Sequence, residues 1–309
     1  MNDQIKSEEQ RFGFVAVAGA PNAGKSTLIN TLVGAKVSIV SPKVQTTRTR
    51  VLGIAMHENA QIVFVDTPGI FQPSQKNKLE KAIVSAAWEG VAEAETLIFM
   101  VDLSKKSDKA DQYILDYLKD NKPKKTILVL NKIDKSTREK MMEVTKKLND
   151  QFDFDATFMI SALKKNGVKD LMKYLAEQTP KGIWHYPEDH ISDMPMRLMA
   201  AEITREKLFN KLHQELPYNL TVETDEWEQF DNGDIKISQT IYVARDTHKK
   251  IVLGKGGDMI RHVGQSARAE LCDMLETNVH LKTFVKVREN WIDDPERYAP
   301  WGLDPKASA

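Results

Sequence analysis

The octapeptide GAPNAGKS at positions 19–26 brings two glycines, a lysine and a serine together at a spacing that suits phosphate chemistry. It follows a β-rich run, opens a helical one and fits the pattern G-x-x-x-x-G-K-[ST]. In such a loop, backbone N–H groups wrap the phosphates and the helix N-terminus adds a favourable dipole. Lys25 would reach the β- and γ-phosphates of a nucleotide, and Ser26 would bind Mg²⁺. We predict nucleotide contacts along the whole loop: Gly19, Ala20, Pro21, Asn22, Ala23, Gly24, Lys25, Ser26 and Thr27.

A second motif, DTPG at positions 66–69, ends another β-rich run. Asp66 would hold Mg²⁺ through a water molecule, and the backbone N–H of Gly69 would contact the γ-phosphate, with Thr67 and Pro68 between them. The same tetrapeptide is also a plausible turn by itself. Its position after the phosphate loop favours nucleotide binding.

A third motif, NKID at positions 131–134, indicates which base is bound. Asp134 can accept hydrogen bonds from both N1–H and the 2-amino group of guanine. Adenine offers no such pair of donors, so a buried carboxylate would be left unpaired. Asn131 and Lys132 would brace the base and the phosphate loop. The three motifs together predict a guanine-nucleotide site.

An α/β domain must position these motifs. Five β-rich runs alternate with helical stretches over the first 180 residues: FGFVAVAG, QIVFVD, TLIFMVD, KTILVLN and ATFMIS. This alternation predicts a mostly parallel sheet with helices on both faces, in which ligands bind at the carboxyl ends of the strands. Each motif lies at such an end. The last run leads into ISA, where Ser161 and the backbone N–H of Ala162 would contact the base, the latter at guanine O6.

The segment IVLGKGGDMIRHVG at positions 251–264 is a second glycine-rich loop that carries a lysine. Glycines let the backbone approach a phosphate closely because no side chain intervenes. The pattern GxxG is common by chance, but here apolar IVL precedes it and a helix follows it. We predict contact with the backbone of a single-stranded nucleic acid, and the alternative is a plain turn between helices. The predicted contact residues are Gly254, Lys255, Gly256, Gly257 and Arg261.

The order of elements changes in the second half of the chain. The segment TPKGIWHYPEDHISDMP is rich in proline and lacks periodicity, which is typical of an interdomain connector. The pattern after it predicts the order α-β-β-α-α-β, a smaller α+β domain with the glycine loop between its last two helices. The predicted organisation is a tail at 1–10, a nucleotide-binding domain at 11–180, a linker at 181–196, a nucleic-acid-binding domain at 197–290 and a tail at 291–309.

The composition indicates a soluble protein with room for two cores. The chain has 309 residues, 41% hydrophobic and 28% charged, with a formal net charge of zero. A nucleic-acid site must therefore be a local basic patch. The single cysteine, Cys272, excludes an internal disulfide and favours a reducing cytoplasm. The polar start lacks the apolar core of a signal peptide, and no apolar run approaches the ~20 residues of a membrane span. We expect a cytoplasmic protein without a transmembrane segment.

The order GAPNAGKS, DTPG, NKID and ISA resembles that of the translation-factor class of GTPases. The stretch SPKVQTTRTRVLGI at 41–54 is similar to the first switch of the bacterial Era GTPases. The glycine loop in its setting resembles a type II KH domain. A GTPase domain followed by a KH domain is the arrangement of the Era family, and the resemblance covers about residues 11–290.

This resemblance implies an activity and partners. It implies hydrolysis of GTP to GDP and phosphate with Mg²⁺, and binding of single-stranded ribosomal RNA near the 3′ end of the small-subunit rRNA. It further implies an assembly or maturation factor of the small ribosomal subunit, with peripheral association at the inner membrane. We expect a monomer. In this family a switch threonine completes the Mg²⁺ shell; Thr47 is our choice, with Thr46 and Thr49 left open.

One departure from Ras-like GTPases affects the mechanism. Ile70 follows DTPG, where Ras-like enzymes carry a glutamine that orients water. An isoleucine cannot hydrogen-bond water, so another group must assist. In similar GTPases an asparagine at the position of Asn22 helps hold K⁺ against the phosphates; the alternative is a plain turn residue. The predicted catalytic residues are Lys25, Asn22 and Gly69.

Two other classes of function stay open at the level of sequence. One is a GTP-controlled protein-binding switch, at the membrane or in cell-cycle control, with little role for hydrolysis; it predicts no measurable turnover and no retained RNA. The other is a GTPase that acts on single-stranded DNA. Sequencing of crosslinked nucleic acid distinguishes the three.

Overall fold

A computed structural model describes residues 9–43, 46–48, 50–73, 78–105, 109–214 and 216–289. Most of the two predicted tails, and Thr49, lie outside these ranges. The described chain divides into two compact units, the first up to Ser38 and over Thr47–Asp193, the second over Ile39–Thr46 and from Met194 onward. No helix in the described part is long and apolar enough to cross a membrane.

The first unit contains a six-stranded sheet in the order β2-β3-β1-β4-β5-β6. All neighbouring strands are parallel except β2, which is antiparallel to β3. The strands are β1 (Arg11–Gly19), β2 (Val51–His57), β3 (Ala60–Asp66), β4 (Thr96–Asp102), β5 (Lys125–Asn131) and β6 (Ala156–Met159). The helices are α1 (Lys25–Val33), α2 (Lys78–Ala92), α3 (Lys109–Asp120), α4 (Arg138–Asn149) and α5 (Val168–Gln178).

Two hydrophobic clusters cover the opposite faces of this sheet. Side chains along β1 alternate between them: Ala16 and Ala18 join the cluster with α2, α3 and α4, while Val15 and Val17 join the cluster with α1 and α5. Alternation of this kind follows from the two-residue period of a strand. The predicted mostly parallel sheet with helices on both faces is confirmed, and each motif ends a strand or directly follows one.

The predicted linker is fastened to the first unit over much of its length. The side chain of Gln61, which is fully buried on β3, accepts hydrogen bonds from the backbone N–H groups of His185 and Tyr186, both at 3.0 Å. Its amide donates to the Tyr186 carbonyl at 2.8 Å. Farther along, the N–H of Ile54 donates to the Ile191 carbonyl at 2.9 Å. A segment without periodicity is ordered here by pairing with the strands beside it.

The second unit contains a three-stranded sheet in the order β7-β8-β9, with β7 antiparallel and β9 parallel to β8. Helices and strands follow the predicted order α-β-β-α-α-β. They are α6 (Met196–Lys211), β7 (Leu220–Gln229), β8 (Ile235–Val243), α7 (Asp246–Leu253), α8 (Asp258–Leu275) and β9 (Val279–Val287). Buried aliphatic side chains such as Leu208, Ile241 and Val263 join the helices to the sheet.

Candidate nucleotide and nucleic-acid sites

The phosphate loop is built around glycines that no other residue could replace without strain. At Gly24 the backbone has φ +103°, and an added Cβ would collide with the amide of Asn131. At Gly19 an added Cβ would collide with the carbonyl of Met100 on β4. Asn22 also has a positive φ of 66°, a conformation that asparagine adopts more readily than most residues. The loop therefore turns tightly between β1 and α1.

Lys25 is buried and bends back over the loop. Its ammonium donates to the carbonyl oxygens of Gly19 and Ala20 at 3.0 and 3.1 Å. Burial lowers the pKa of Lys25 to about 8, and the nearby Asp66 opposes that shift. The anionic phosphates of a nucleotide would favour the charged lysine, because an opposite charge at short range stabilises the ammonium.

Three oxygen-bearing side chains meet at the end of β3. The hydroxyl of Ser26 donates to Oδ2 of Asp66 at 2.8 Å and lies 3.0 Å from the hydroxyl of Thr47. Burial raises the pKa of Asp66, and hydrogen bonds from Ser38 and Ser26 oppose that shift. Oδ1 of Asp66 is buried without a hydrogen-bond partner among the described residues. Hydroxyl and carboxylate oxygens are the ligands that Mg²⁺ prefers, so these residues fit that ion.

The structure separates the two described switch threonines. Thr47 belongs to the first unit and lies at Ser26, whereas Thr46 belongs to the second unit. The hydroxyl of Thr46 donates to the carbonyl of Lys43 at 2.7 Å. This difference supports Thr47 as the candidate Mg²⁺ ligand.

The NKID motif ties the base site to the phosphate loop. The buried Asn131 donates to the carbonyl of Ala23 at 2.8 Å. Lys132 has a positive φ of 65°, and its ammonium lies 2.8 Å from the carbonyl of Asn22 and 2.6 Å from the carboxylate of Asp102. Burial would raise the pKa of Asp102, but hydrogen bonds from Lys132 and Ser104 outweigh it and lower that pKa. The motif thus has a structural role in the loop besides its predicted contact with a base.

Asp134 stands at the other end of the motif and is exposed. The hydroxyl of Ser161 donates to its Oδ1 at 2.6 Å, and this bond lowers the pKa of Asp134. The carboxylate therefore stays ionised and accepting, as guanine recognition requires. The N–H of Ala162 donates to Oδ1 of Asn131 at 3.0 Å. The contact of this N–H with guanine O6 stays a prediction.

The DTPG turn lies against the phosphate loop. An added Cβ at Gly69 would be 2.9 Å from the Cα of Pro21, and the next N–H, of Ile70, donates to the carbonyl of Gly19 at 3.1 Å. The hydroxyl of Thr67 donates to the carbonyl of Val17 at 2.8 Å, so this side chain braces β1. The side chain of Ile70 is fully buried in the sheet cluster and cannot orient water.

The second glycine loop joins α7 to α8 in the second unit. Gly254, Gly256 and Gly257 all have positive φ, of 74°, 61° and 80°. A Cβ at Gly254 would lie 2.7 Å from the Cβ of Met259, whereas at Gly256 and Gly257 it would meet nothing within 4 Å. The loop is therefore packed at its base and open at its tip, where Lys255 is exposed. Sugar and phosphate groups can approach such a tip.

A cavity of about 350 Å³ adjoins this loop. Its lining includes Gly254, Lys255 and Met259, together with Lys211 at the end of α6 and His262 on α8. The sequence does not point to Lys211, because only folding brings α6 beside the loop. His262 lies within the segment 251–264 but is not among the predicted contact residues. Arg261, which the sequence does indicate, donates to the carboxylate of Asp258 at 3.0 Å.

These observations define a class: a P-loop protein with guanine-binding motifs, followed by a KH-type unit. A family model described as "50S ribosome-binding GTPase" matches residues 14–132, and one described as "KH domain" matches residues 215–292. GTPase Era of Sinorhizobium medicae is 57% identical over 95% of this chain and 94% of its own length. GTPase Era of Brucella suis is 53% identical over 97% and 96%. The chain belongs to the Era family of GTPases, as the resemblance of its motifs implied.

Solved structures agree over both units. A crystal structure of Era in complex with MgGDPNP and nucleotides 1506–1542 of 16S ribosomal RNA is 37% identical, with a TM-score of 0.90, and the match covers 95% of this chain and 99% of that one. A crystal structure of a single-residue variant of Aquifex aeolicus Era, bound to GDP·AlF₄⁻, is 36% identical, with a TM-score of 0.89 and the same coverage.

Proposed function

We propose that this protein binds GTP and hydrolyses it to GDP and phosphate with Mg²⁺, and binds single-stranded ribosomal RNA through its KH unit. The observation that carries the first part is that Lys25, Asp66 and Asp134 lie at or just after the carboxyl ends of β1, β3 and β5. In the proposal they serve the phosphates, the metal ion and the base of a nucleotide, respectively. The relatives that bear the name GTPase Era support the same activity.

Each residue has one task in this proposal. Lys25 releases the loop carbonyls and neutralises the terminal phosphates, while the Gly69 N–H contacts the γ-phosphate. Ser26, Thr47 and Asp66 would hold Mg²⁺, which when bound would supply positive charge that neutralises the phosphates. Asp134 selects guanine. Of these residues, Ser26 already lies within hydrogen-bond distance of both Thr47 and Asp66.

Asn22 and K⁺ replace the missing glutamine in this proposal. Ile70 is buried and apolar, so it cannot orient the attacking water. Asn22 sits at the outer turn of the phosphate loop, and its carbonyl is held by Lys132. Its side chain would help hold K⁺ against the phosphates, where the ion adds positive charge as an arginine finger does.

The KH unit is assigned to RNA near the 3′ end of the small-subunit rRNA, and the protein to assembly of the small ribosomal subunit. The Era structure with nucleotides 1506–1542 of 16S rRNA supports this partner. In this chain the open space at Gly256 and Gly257 would admit the RNA backbone, and Gly254 forms the packed base of the same predicted contact loop. Lys255 and Arg261 would supply positive charge. We assign the GTPase domain to residues 11–180 and the KH domain to 197–290, joined by the linker at 181–196.

Peripheral membrane association and a monomeric state stay predictions, tested by vesicle flotation and by sedimentation.

The Lys25→Ala variant tests the enzymatic part. GTP turnover should fall by about three orders of magnitude, because the charge on the transferring phosphoryl group is no longer neutralised. Phosphate release from GTP in the presence of Mg²⁺ measures the activity, and a circular dichroism spectrum of the variant checks its fold. A folded variant with near-normal turnover would remove Lys25 from the mechanism. A wild-type protein without turnover or bound RNA would instead support the GTP-controlled protein-binding switch.

A further inference from the structure

A set of side-chain hydrogen bonds from Asn30, outside the sequence motifs, connects α1 to the metal end of the site. Asn30, one turn after Ser26 on α1, makes three hydrogen bonds to the backbone that follows the helix. Its Oδ1 accepts from the N–H groups of Val37 and Ser38 at 2.9 and 3.0 Å, and its Nδ2 donates to the carbonyl of Ser38 at 2.8 Å. The position of Ser38 is therefore fixed relative to the helix that carries Ser26.

Held by Asn30 in this way, Ser38 forms a hydrogen bond with the carboxylate of Asp66. The hydroxyl donates to Oδ2 at 2.6 Å, and Ser38 is only 2% exposed. Oδ2 thereby accepts from both Ser26 and Ser38, while Oδ1 has no hydrogen-bond partner in the described part of the chain. A carboxylate held by two donors on one oxygen keeps a single orientation. Its other oxygen is then left for a cation or for water bound to one.

The same contacts bring residues before and within the first-switch segment to one place. Ser38 lies three residues before the segment 41–54 and donates to Asp66, while Thr47 lies within that segment, with its hydroxyl 3.0 Å from that of Ser26. An ion bound by Ser26, Thr47 and Asp66 would therefore be held in part by a carboxylate whose orientation depends on Ser38. Of Ser38 and Thr47, only Thr47 lies in the first-switch segment that the sequence indicated.

We infer that Ser38 is a positioning residue for the Mg²⁺ site, set in place by Asn30 and acting through Asp66. This inference rests on the proposed function, since it concerns how the nucleotide-bound ion is held. Outer hydrogen bonds that orient a ligating carboxylate typically change metal affinity about 10–100-fold when they are removed. The role assigned to Ser38 is exerted through its hydrogen bond to Asp66.

The test is the Mg²⁺ dependence of GDP release. Fluorescent GDP is loaded on the full-length protein, and its release is followed over a Mg²⁺ titration and in EDTA. Ser38→Ala should raise the Mg²⁺ concentration for half-maximal slowing at least about tenfold, with a release rate in EDTA equal to that of the wild type. Ser38→Thr, which keeps the hydroxyl, should restore the wild-type midpoint.

Two further variants separate positioning from simple stabilisation. Asn30→Asp keeps the Oδ1 acceptor and loses the donor to Ser38, so its Mg²⁺ midpoint should rise in the same direction. Ser104→Ala removes a comparable hydroxyl bond, of 2.6 Å to the buried Asp102, at the base end of the site. It should leave the midpoint unchanged. If Ser38→Ala is too unstable to assay, Asn30→Asp decides the outcome through Mn²⁺ binding to the GDP complex, followed by electron paramagnetic resonance.

The outcomes are distinguishable. An unchanged midpoint in Ser38→Ala and Asn30→Asp, or an equal shift in Ser104→Ala, overturns the positioning role and leaves the proposed GTPase intact. A wild-type protein whose GDP release is insensitive to Mg²⁺ overturns the proposed metal site, and the inference with it.

Discussion

At the scale of single residues, charge and hydrogen bonding decide the assignment of the site. Asp66 is buried, Asp102 is paired with Lys132, and Asp134 is held ionised by Ser161. These three carboxylates, at or just after the carboxyl ends of β3, β4 and β5, therefore have three separate surroundings. Their surroundings, more than their residue type, separate the roles proposed for them in metal binding, loop bracing and base selection.

Base selection is tested by Asp134→Asn. Xanthine carries a carbonyl oxygen where guanine carries its 2-amino group, and an asparagine amide can donate to that oxygen. The variant should prefer XTP over GTP, with GTP affinity lower by about 1–3 kcal/mol because the guanine donors lose their acceptor. Competition between the two nucleotides measures the preference. Asp153→Asn, at a side chain 96% exposed, is the control and should still prefer GTP; a variant at position 134 that does the same would refute the base contact.

The role assigned to Asn22 predicts dependence on potassium. Turnover in K⁺ should exceed turnover in Na⁺ at the same ionic strength, and Asn22→Ala should abolish the difference. Phosphate release in the two salts measures both effects. Equal wild-type rates would eliminate the ion, although the GTPase itself would stand.

At the scale of elements, the glycines show how backbone geometry limits substitution. Gly34 ends α1 with φ +82° and open space around its Cβ position, whereas Gly24 combines φ +103° with a collision at Asn131. Gly34→Ala should cost about 1 kcal/mol for the left-handed backbone alone. Gly24→Ala should cost about 3 kcal/mol, because overpacking against Asn131 adds to that strain.

Urea denaturation measures the two free energies of unfolding, and GDP binding measures the local effect. Only the variant at position 24 should lose nucleotide affinity. Similar costs and similar GDP binding in both variants would mean that the Asn131 contact does not constrain the loop.

The elements also show what the sequence can and cannot predict. Strands that end in motifs, and the closing strand Val279–Val287, are predictable because their alternation or apolar character is continuous. The strand β2, in contrast, is not predictable from the sequence. Its third residue is Gly53, where a Cβ would lie 2.9 Å from Ile29, and its turn to β3 lacks glycine, with Glu58 adopting φ 53°. Both residues depend on packing that no local pattern indicates.

The site shows the same division. The glycines, lysine and aspartates of the motifs can be found because their chemistry needs fixed types at fixed spacing. Asn30, Ser38 and Ser104 act through contacts that belong to no motif, and Lys211 reaches the second loop only through the packing of α6. Contacts of this kind depend on the fold, so they produce no characteristic spacing of residues in the sequence.

At the scale of the whole molecule, one chain carries two glycine loops whose backbone geometry suits phosphate binding in the same physical way. Each loop uses positive φ angles and absent side chains to expose backbone, and each adds a lysine. The first encloses its lysine, whereas the second leaves Lys255 exposed at an open tip. Enclosure suits a small nucleotide, and an open tip suits a strand that passes over it.

RNA binding by the second loop is the central claim, and a charge reversal at its tip tests it most directly. Lys255→Asp with Gly256→Asp places two negative charges against the RNA backbone and adds a Cβ where close approach is needed. A control of equal charge change, Lys146→Asp with Asn149→Asp, alters exposed residues of α4 in the other unit. All three proteins are titrated with an RNA matching the 3′ end of small-subunit rRNA over a range of salt.

The account predicts that the loop variant loses RNA affinity at least about tenfold, or about 1.4 kcal/mol, with the largest loss at low salt, while its GTP affinity is unchanged. The control should bind RNA within about twofold of the wild type, since its added charges belong to the GTPase unit and not to the loop, and salt screens charges that are not in direct contact. If the loop variant binds this RNA as tightly as the wild type, the second glycine loop is only a turn between helices, and the proposed RNA-binding function of the KH unit is contradicted.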